Sequence, residues 1–303
     1  MWKGDITVAV VTCLIGEQFP HWADLPIRPV ELDGWDNTTF RLGRDMSVRL
    51  PSHERYEPQV DKEHHWLPRL APHLPQPIPR PVAKGQPGCG FGTAWSVYLW
   101  LDGEPAALVG VADHERLADD LAAFLLALEG VPSESGPLAG AHSFGRGGPV
   151  SRWDDQTRWA IEVLGDEIDD RGALAVWEAA IAAQESEGRV WVHGDVCGSN
   201  ILMANDRLCG IIDFGCSAVG DPACDLTPAW TLFEGSSRRR FVDAMQCDDA
   251  TWARSRGWAL WKALISAAGQ SASDPGRTGA RWGWRWDALG VISQVIADHQ
   301  AIA

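Results

Sequence analysis

The chain has no apolar run long enough to cross a bilayer, no pair of cysteines spaced C-x-x-C, no internal repeat and a deficit of basic residues. Its longest N-terminal apolar run, residues 6–16, falls well short of the ~20 residues a spanning helix needs. Asp5 and Glu17 flank that run and no small-residue cleavage site follows, so it lacks the shape of a signal peptide as well. It reads as a helix that caps the first domain. Lys plus Arg number 26 against 41 Asp plus Glu, a net charge of −15. Such a balance disfavours nucleic acid and anionic membranes and attracts cations; solubility alone explains it equally well. Seven cysteines (Cys13, Cys89, Cys197, Cys209, Cys216, Cys224 and Cys247) make an odd, scattered set with no zinc-ligand spacing. Four of them fall within residues 190–226 as small apolar fillers. Free thiols in a reducing cytoplasm fit this usage best.

What is present is a chain of 303 residues, 45% hydrophobic, enough for one large or two medium domains with a real core. Its most informative stretch is 190–226. The apolar run Val190–Trp191–Val192 leads into a loop carrying Asp195 and Asn200, five apart. Ile201–Leu202–Met203 is a short strand signal, Asn205–Asp206 a turn, and residues 208–212 a returning strand. Strands paired about that turn bring Asn200 and Asp213 to one end of a hairpin, where paired positions lie roughly 5 Å apart. Two oxygen-bearing side chains converging there suit a hard Mg²⁺ ion carried by a nucleotide.

In order, these residues are His193–Gly194–Asp195, then Asn200, then Asp213–Phe214–Gly215. The pattern resembles the catalytic core of protein kinases. The Gly after His, and Gly220–Asp221–Pro222 followed by Asp225–Leu226, are similar to the aminoglycoside phosphotransferase family. The resemblance implies that Asp195 is the catalytic base and that Asn200 and Asp213 hold magnesium, with His193 and Asp225 bracing the loop. Only residues 216–219 separate Gly215 from Gly220, leaving no room for the peptide-docking segment of protein kinases. The acceptor is therefore expected to be a small molecule.

The implied fold is α+β: a bilobal, protein-kinase-like fold with a small antiparallel-sheet N-lobe and a larger, mostly helical C-lobe. The expected division is a nucleotide-binding lobe over 1–101 and a catalytic, substrate-binding lobe over 102–303. Residues 27–32, 39–42 and 46–50 read as an antiparallel meander. In the first link, Gly34 permits close backbone approach, and Asn37, Thr38 and Thr39 offer donors to phosphate oxygens. This link lacks the full G-x-G-x-x-G, and a plain hairpin is the alternative. Kinases place a Lys on the third strand, paired with a helix Glu. The candidates in this sequence are Arg49 and Glu63, the latter in a helix-like stretch over 56–70. Arg for Lys keeps the charge but presents a planar fork.

Residues 71–92 are rich in Pro and Gly, and Pro68 onward is expected to stop the helix. The strand-like run 95–101 would be the hinge, with the backbone of Leu99 and Leu101 reading the base of ATP or GTP. Helical periodicity follows: Asp113 can cap a helix in which Leu117, Leu121, Phe124, Leu125 and Leu128 fall on one face. Further helices are expected over 151–170, 173–187, 238–246, 249–269 and 286–302.

Two features remain open in sequence. Asp154, Asp155, Asp166, Glu167, Asp169 and Asp170 form an acidic band, either a solvated helix face or a wall for a polycationic acceptor. Trp282, Trp284 and Trp286 alternate among 17 tryptophans, either packing residues or a stacking surface for sugars and cations. The expected activity is transfer of the γ-phosphoryl of ATP or GTP, with Mg²⁺, to a hydroxyl of a small molecule, foremost an aminoglycoside or similar cationic antibiotic. A macrolide, choline or homoserine is the alternative acceptor, and a nucleotide-binding pseudokinase or regulatory module the alternative of another class.

Overall fold

A computed structural model of the chain describes residues 3–31, 33–186, 188–269 and 287–302. They divide into two compact units. The first comprises residues 1–103 together with 210–215; the second comprises 104–209 and 216–303.

The first unit is built on a five-stranded antiparallel sheet of order β1-β2-β3-β5-β4. Its strands are β1 (Ile27–Pro29), β2 (Asn37–Leu42), β3 (Met46–Pro51), β4 (Pro81–Gly85) and β5 (Trp95–Leu99). Side chains alternate across a strand, and β3 shows the consequence. Val48 and Leu50 point to one face, where they join Phe40, Leu42 and Val97 under helix α1 (Val8–Gln18), which contributes Val11, Leu14 and Ile15. Arg49 lies between them in sequence and points to the other face, toward helix α2 (Glu57–Leu70) and its buried Glu63. Thr7 caps α1 through its hydroxyl, so the apolar N-terminal run is a helix, as expected. Pro68 lies inside α2, which ends at Leu70, where the sequence placed its end. It sits in the last turn, so only one carbonyl loses its intrahelical donor before the helix stops.

The cysteine reading needs correction. Cys13 on α1 and Cys89, in the turn after β4, form a disulfide with Cα atoms 6.1 Å apart. The remaining five cysteines are free. Seventy-six residues separate the two partners, and only the docking of α1 on the sheet brings them together. Sequence spacing could not show it.

The second unit is mostly helical. It holds β6 (Glu104–Pro105), α3 (Ala106–Val109), α4 (His114–Glu129), α5 (Asp154–Leu164), α6 (Asp170–Ala182), β7 (Val190–Val192), β8 (Ile201–Ala204) and the start of β9 (Arg207–Ile211). After residue 215 come β10 (Ala218–Gly220), α7 (Pro228–Thr231), α8 (Gly235–Met245), α9 (Asp249–Ala267) and α10 (Ala288–Gln300). Asp113 caps α4 as expected, and Leu117, Leu121, Phe124, Leu125 and Leu128 are all buried. β7 pairs antiparallel with β10, and β6-β8-β9 form a small sheet. Helix α9 runs through the centre, with Trp258, Leu260, Trp261 and Leu264 almost wholly buried. Its three central cations each meet a separate acid: Arg254 meets Asp221, Arg256 meets Asp298 and Lys262 meets Asp195.

Part of the acidic band is spent on packing. Asp154 accepts bonds from Arg158 Nε and Trp177 Nε1, both at 2.7 Å, and Asp169 caps α6. The tryptophans Trp95, Trp177, Trp191, Trp258 and Trp261 are core residues. Trp282, Trp284 and Trp286 lie outside the described residues. Among the described residues no helix is long and apolar enough to cross a membrane.

Candidate active site

The loop between β7 and β8 carries Asp195 and Asn200 in the second unit. Its shape is set from behind by the buried Asp225. That carboxylate accepts the backbone N–H of His193 at 2.6 Å and of Gly194 at 2.7 Å. Burial nonetheless raises the Asp225 carboxyl, with the two N–H bonds and His193 opposing. His193 Nδ1 accepts the Asp195 N–H at 3.2 Å. Gly194 has φ +83°, and a Cβ there would lie 2.7 Å from the Cys216 carbonyl, so only glycine makes this turn. Gly220 meets a similar limit, since an added Cβ would stand 2.2 Å from the Gly147 carbonyl.

Asn200 Nδ2 donates to the Asp195 carbonyl at 2.9 Å and more weakly to Asp195 Oδ2 at 3.4 Å. The amide nitrogen is thereby fixed inward, and the amide oxygen is left as the atom that could hold an ion. Asp195 Oδ1 accepts from Lys262 Nζ at 2.7 Å. Burial alone would raise the Asp195 carboxyl. Lys262, Arg146 and His193 outweigh it and hold the carboxyl at about 2. A small cavity opens here, lined by Asp195, Lys262, Arg146, Thr227, Trp258 and Trp261.

In the first unit, Asp213 is the counterpart. It has φ +68°, a left-handed conformation that a non-glycine residue rarely adopts and that clusters at functional sites. Its Oδ1 lies 3.2 Å from Arg49 Nη2, while Arg49 Nη1 lies 3.5 Å from Glu63 Oε2. Burial opposes the charge on Arg49, but Glu63 and Asp213 hold the guanidinium more firmly protonated. Tyr98 donates its hydroxyl to Glu63, and Arg49 lies over the Tyr98 ring, 5.5 Å from its centroid. The structure thus joins Arg49, Glu63 and Asp213 in one network, and Asp195 to Asn200 in another.

The phosphate-loop residues are placed differently from the sequence expectation. Asn37 and Thr38 do not lie in the link; with Thr39, which was expected on the strand, they are the first residues of β2, opposite Pro51, Leu50 and Arg49. The Thr39 N–H is donated to Asp33 Oδ1 at 2.8 Å, and the Asn37 and Thr38 side chains are buried. Gly34 keeps open space around it, with the nearest atom to an added Cβ 3.8 Å away. The turn is braced by Gln59, which donates to Asp36 Oδ2 at 2.9 Å, and by Ser52, whose hydroxyl donates to the Trp35 carbonyl at 2.7 Å. At the expected hinge, the Leu99 N–H bonds the Arg80 carbonyl at 2.9 Å and the Trp100 N–H bonds Asp45 at 2.8 Å. Both donors are engaged within the unit, and Leu101 lies just past the end of β5.

Sequence reasoning missed Tyr98, Lys262 and Arg146. Lys262 left a trace, being the single charge in the apolar run 257–269. Tyr98 left a weaker one, since it alternates with Val97 in a strand and so faces the Arg49 side. Arg146, in a Gly-rich loop, left none.

A model of a family described as the phosphotransferase enzyme family matches residues 27–258. The uncharacterized protein YcbJ of Bacillus subtilis (strain 168) is 25% identical over 195 residues, 60% of this chain; the match spans 58% of that protein's length. Among solved structures, the GDP complex of wild-type aminoglycoside 2'-phosphotransferase-IIIa aligns with a TM-score of 0.69 at 19% identity, over 97% of this chain and all of the other. A macrolide 2'-phosphotransferase from Brachybacterium faecium aligns with a TM-score of 0.56 at 19% identity, covering 95% of this chain and 89% of the other. At these identities the structural likeness establishes the kinase-like fold.

Proposed function

The chain belongs to the phosphotransferase enzyme family, and from that premise we propose that it transfers the γ-phosphoryl group of a nucleoside triphosphate to a hydroxyl of a small molecule. The observation that carries this reading is the pose of Asp195: an ionised carboxylate on a loop whose backbone is fixed by Asp225 and whose outer end is fixed by Asn200. In the transfer, the acceptor oxygen bonds to the γ-phosphorus, the bond from phosphorus to the β–γ bridging oxygen breaks, and the nucleoside diphosphate leaves. The hydroxyl proton goes to Asp195. A carboxyl held at about 2 is a weak base, so Asp195 first orients the hydroxyl and takes the proton as the new bond forms.

Asn200 and Asp213 offer an amide oxygen and a carboxylate, the hard donors that suit Mg²⁺. In this reading they would hold the ion, which when bound neutralises charge on the phosphate oxygens. Arg49, supported by Glu63, neutralises phosphate charge beside them. Gly34 and the start of β2 at Asn37, Thr38 and Thr39 cover the phosphates, and the hinge backbone at Leu99 and Leu101 reads ATP or GTP. With the Leu99 N–H already engaged, the donor role there falls to Leu101. The lobe roles expected of residues 1–101 and 102–303, nucleotide binding and acceptor binding, belong to the same proposal; the Cys13–Cys89 disulfide removes the free-thiol argument for the cytoplasm.

A cationic acceptor such as an aminoglycoside is supported by the net charge of −15 and the acidic band. A second class is favoured by the residues lining the cavity and is argued below. Incubation with Mg–ATP or Mg–GTP and a panel of aminoglycosides, macrolides, amino alcohols and hydroxy acids, read by mass for one added phosphoryl group, tests the reading. Nucleotide binding without any phosphorylated acceptor would favour a regulatory module.

A further inference from the structure

The cavity beside Asp195 is lined by two cationic side chains, Arg146 and Lys262. Lys262 Nζ spends one of its three hydrogens on Asp195 Oδ1. Arg146 lies in the loop before α5, half-buried, with its guanidinium 4.4 Å from the Trp261 ring centroid, 5.8 Å from that of Trp258 and 6.0 Å from that of Trp153. Its Nη1 is fully buried and has no hydrogen-bond partner among the described residues, nor does Arg146 form an ion pair among them. The indole nitrogen of Trp258, on the same lining, is buried and has no partner among the described residues. The Trp261 ring holds the guanidinium by cation–π contact. The other acid nearby, Asp225, is committed to the backbone of His193 and Gly194. The lining therefore holds two cations against the single carboxylate of Asp195, a local excess of positive charge that favours an anionic group there.

We propose that this cavity receives the carboxylate of the phosphoryl acceptor, so that the substrate is a small hydroxy acid whose carboxylate is held by Arg146 and Lys262 while its hydroxyl meets Asp195. The inference rests on the phosphotransferase reading and narrows it. An acceptor that approached Asp195 with an ammonium group would meet Arg146 and Lys262 as like charges. A carboxylate completes the donor set, and Trp258 and Trp261 supply the apolar walls around it. The guanidinium fork presents two parallel N–H groups, the geometry of carboxylate recognition.

The test compares acceptors matched in shape and different in charge, each with Mg–ATP and Mg–GTP: glycerate, 3-hydroxybutyrate, serine and gluconate against glycerol, choline, ethanolamine and kanamycin. At least one hydroxy acid is expected to show a kcat/KM tenfold or more above every neutral or cationic compound. Arg146→Gln is expected to raise the KM for that acid tenfold or more with a smaller change in kcat and an unchanged Kd for Mg–nucleotide, and Arg146→Lys to recover part of the loss. If Arg146→Gln does not fold, calorimetric titration of the parent protein with the hydroxy acids still decides, since binding weaker than that of glycerol or choline refutes the proposal. Phosphorylation confined to neutral or cationic acceptors overturns it and leaves the phosphotransferase reading standing. An Arg146→Gln variant that loses Mg–nucleotide affinity with no change in acceptor KM also overturns it, because the oxyanion held would then be the donor's phosphate. Failure to bind Mg–nucleotide or to phosphorylate any compound removes both readings.

Discussion

The ammonium of Lys262 stands 2.7 Å from Asp195 Oδ1, joining a helix core to the loop that carries the candidate base. The contact keeps Asp195 ionised against the pull of burial, and Asp195 in turn raises Lys262, whose own burial acts the other way.

Lys262→Met removes the largest influence that lowers Asp195 and leaves burial unopposed by it. Protonated Asp195 cannot accept the hydroxyl proton, so activity falls as pH falls through its pKa. In the parent that limb lies near about 2, below the working range. In the variant the acid limb of kcat/KM moves upward by about one unit or more, as follows loss of a close opposite charge. The linked stability has the same sign. A carboxyl held below its ordinary 3.8 stabilises the fold above that value, and the contribution is lost as pH falls from there toward about 2. A pH–rate profile of both proteins checks the shift.

Asp195→Asn and Asp213→Asn separate the proposed base from the proposed metal ligand. Asp195→Asn is expected to bind Mg–nucleotide like the parent and to lose roughly 10²–10⁴-fold in kcat, the range of general-base catalysis. Asp213→Asn is expected to weaken Mg–nucleotide binding and turnover together, because the ion's charge is no longer held. Calorimetric titration of nucleotide with and without Mg²⁺, beside steady-state rates, gives the answer. Near-parent kcat in Asp195→Asn would refute its assignment.

Arg254 and Asp221 form a two-pronged pair, 2.6 Å from Nε to Oδ2 and 3.1 Å from Nη2 to Oδ1, with Arg254 only 4% exposed. Arg254 also donates to Thr251 Oγ1 at 3.0 Å and to the Gln184 carbonyl. Arg254→Ala leaves Asp221 partly buried and unpaired, which costs about 3–5 kcal/mol. The urea midpoint of the second unit's unfolding, followed by tryptophan fluorescence, is expected to fall accordingly. A change within about 0.5 kcal/mol, the range of ordinary surface substitutions, would show the pair to be dispensable.

The Cys13–Cys89 bond sets the thiol count. Protein isolated under thiol trapping and denatured without reductant is expected to titrate five thiols, those of Cys197, Cys209, Cys216, Cys224 and Cys247. Cys89→Ser removes the link across a long loop and is expected to cost about 2–4 kcal/mol. Seven reactive thiols in the trapped protein would show the bond to be absent.

The sequence by itself determined the order of the elements and the local chemistry. Alternation along β3 put Arg49 on the face opposite Val48 and Leu50, and the spacing from His193 to Asn200 placed Asp195 and Asn200 on one loop, because both patterns act over a few residues. It also carried the family motifs, whose members lie within 33 residues of one another from His193 to Asp225. What it misjudged locally was the start of β2: Asn37 and Thr38 read as part of the link, but pairing with β3 claims them, and a ladder partner is invisible in one strand. The tertiary structure decided everything that depends on distant segments meeting. Cys13 found Cys89 across 76 residues, Asp195 found Lys262 across 67, and Arg49 found Asp213 across 164. Such pairs carry no mark in their own neighbourhoods, since a charge or thiol looks the same in sequence whether water or a buried partner satisfies it. Packing of the surrounding apolar residues fixes those distances, and with them the charge lining the cavity beside Asp195.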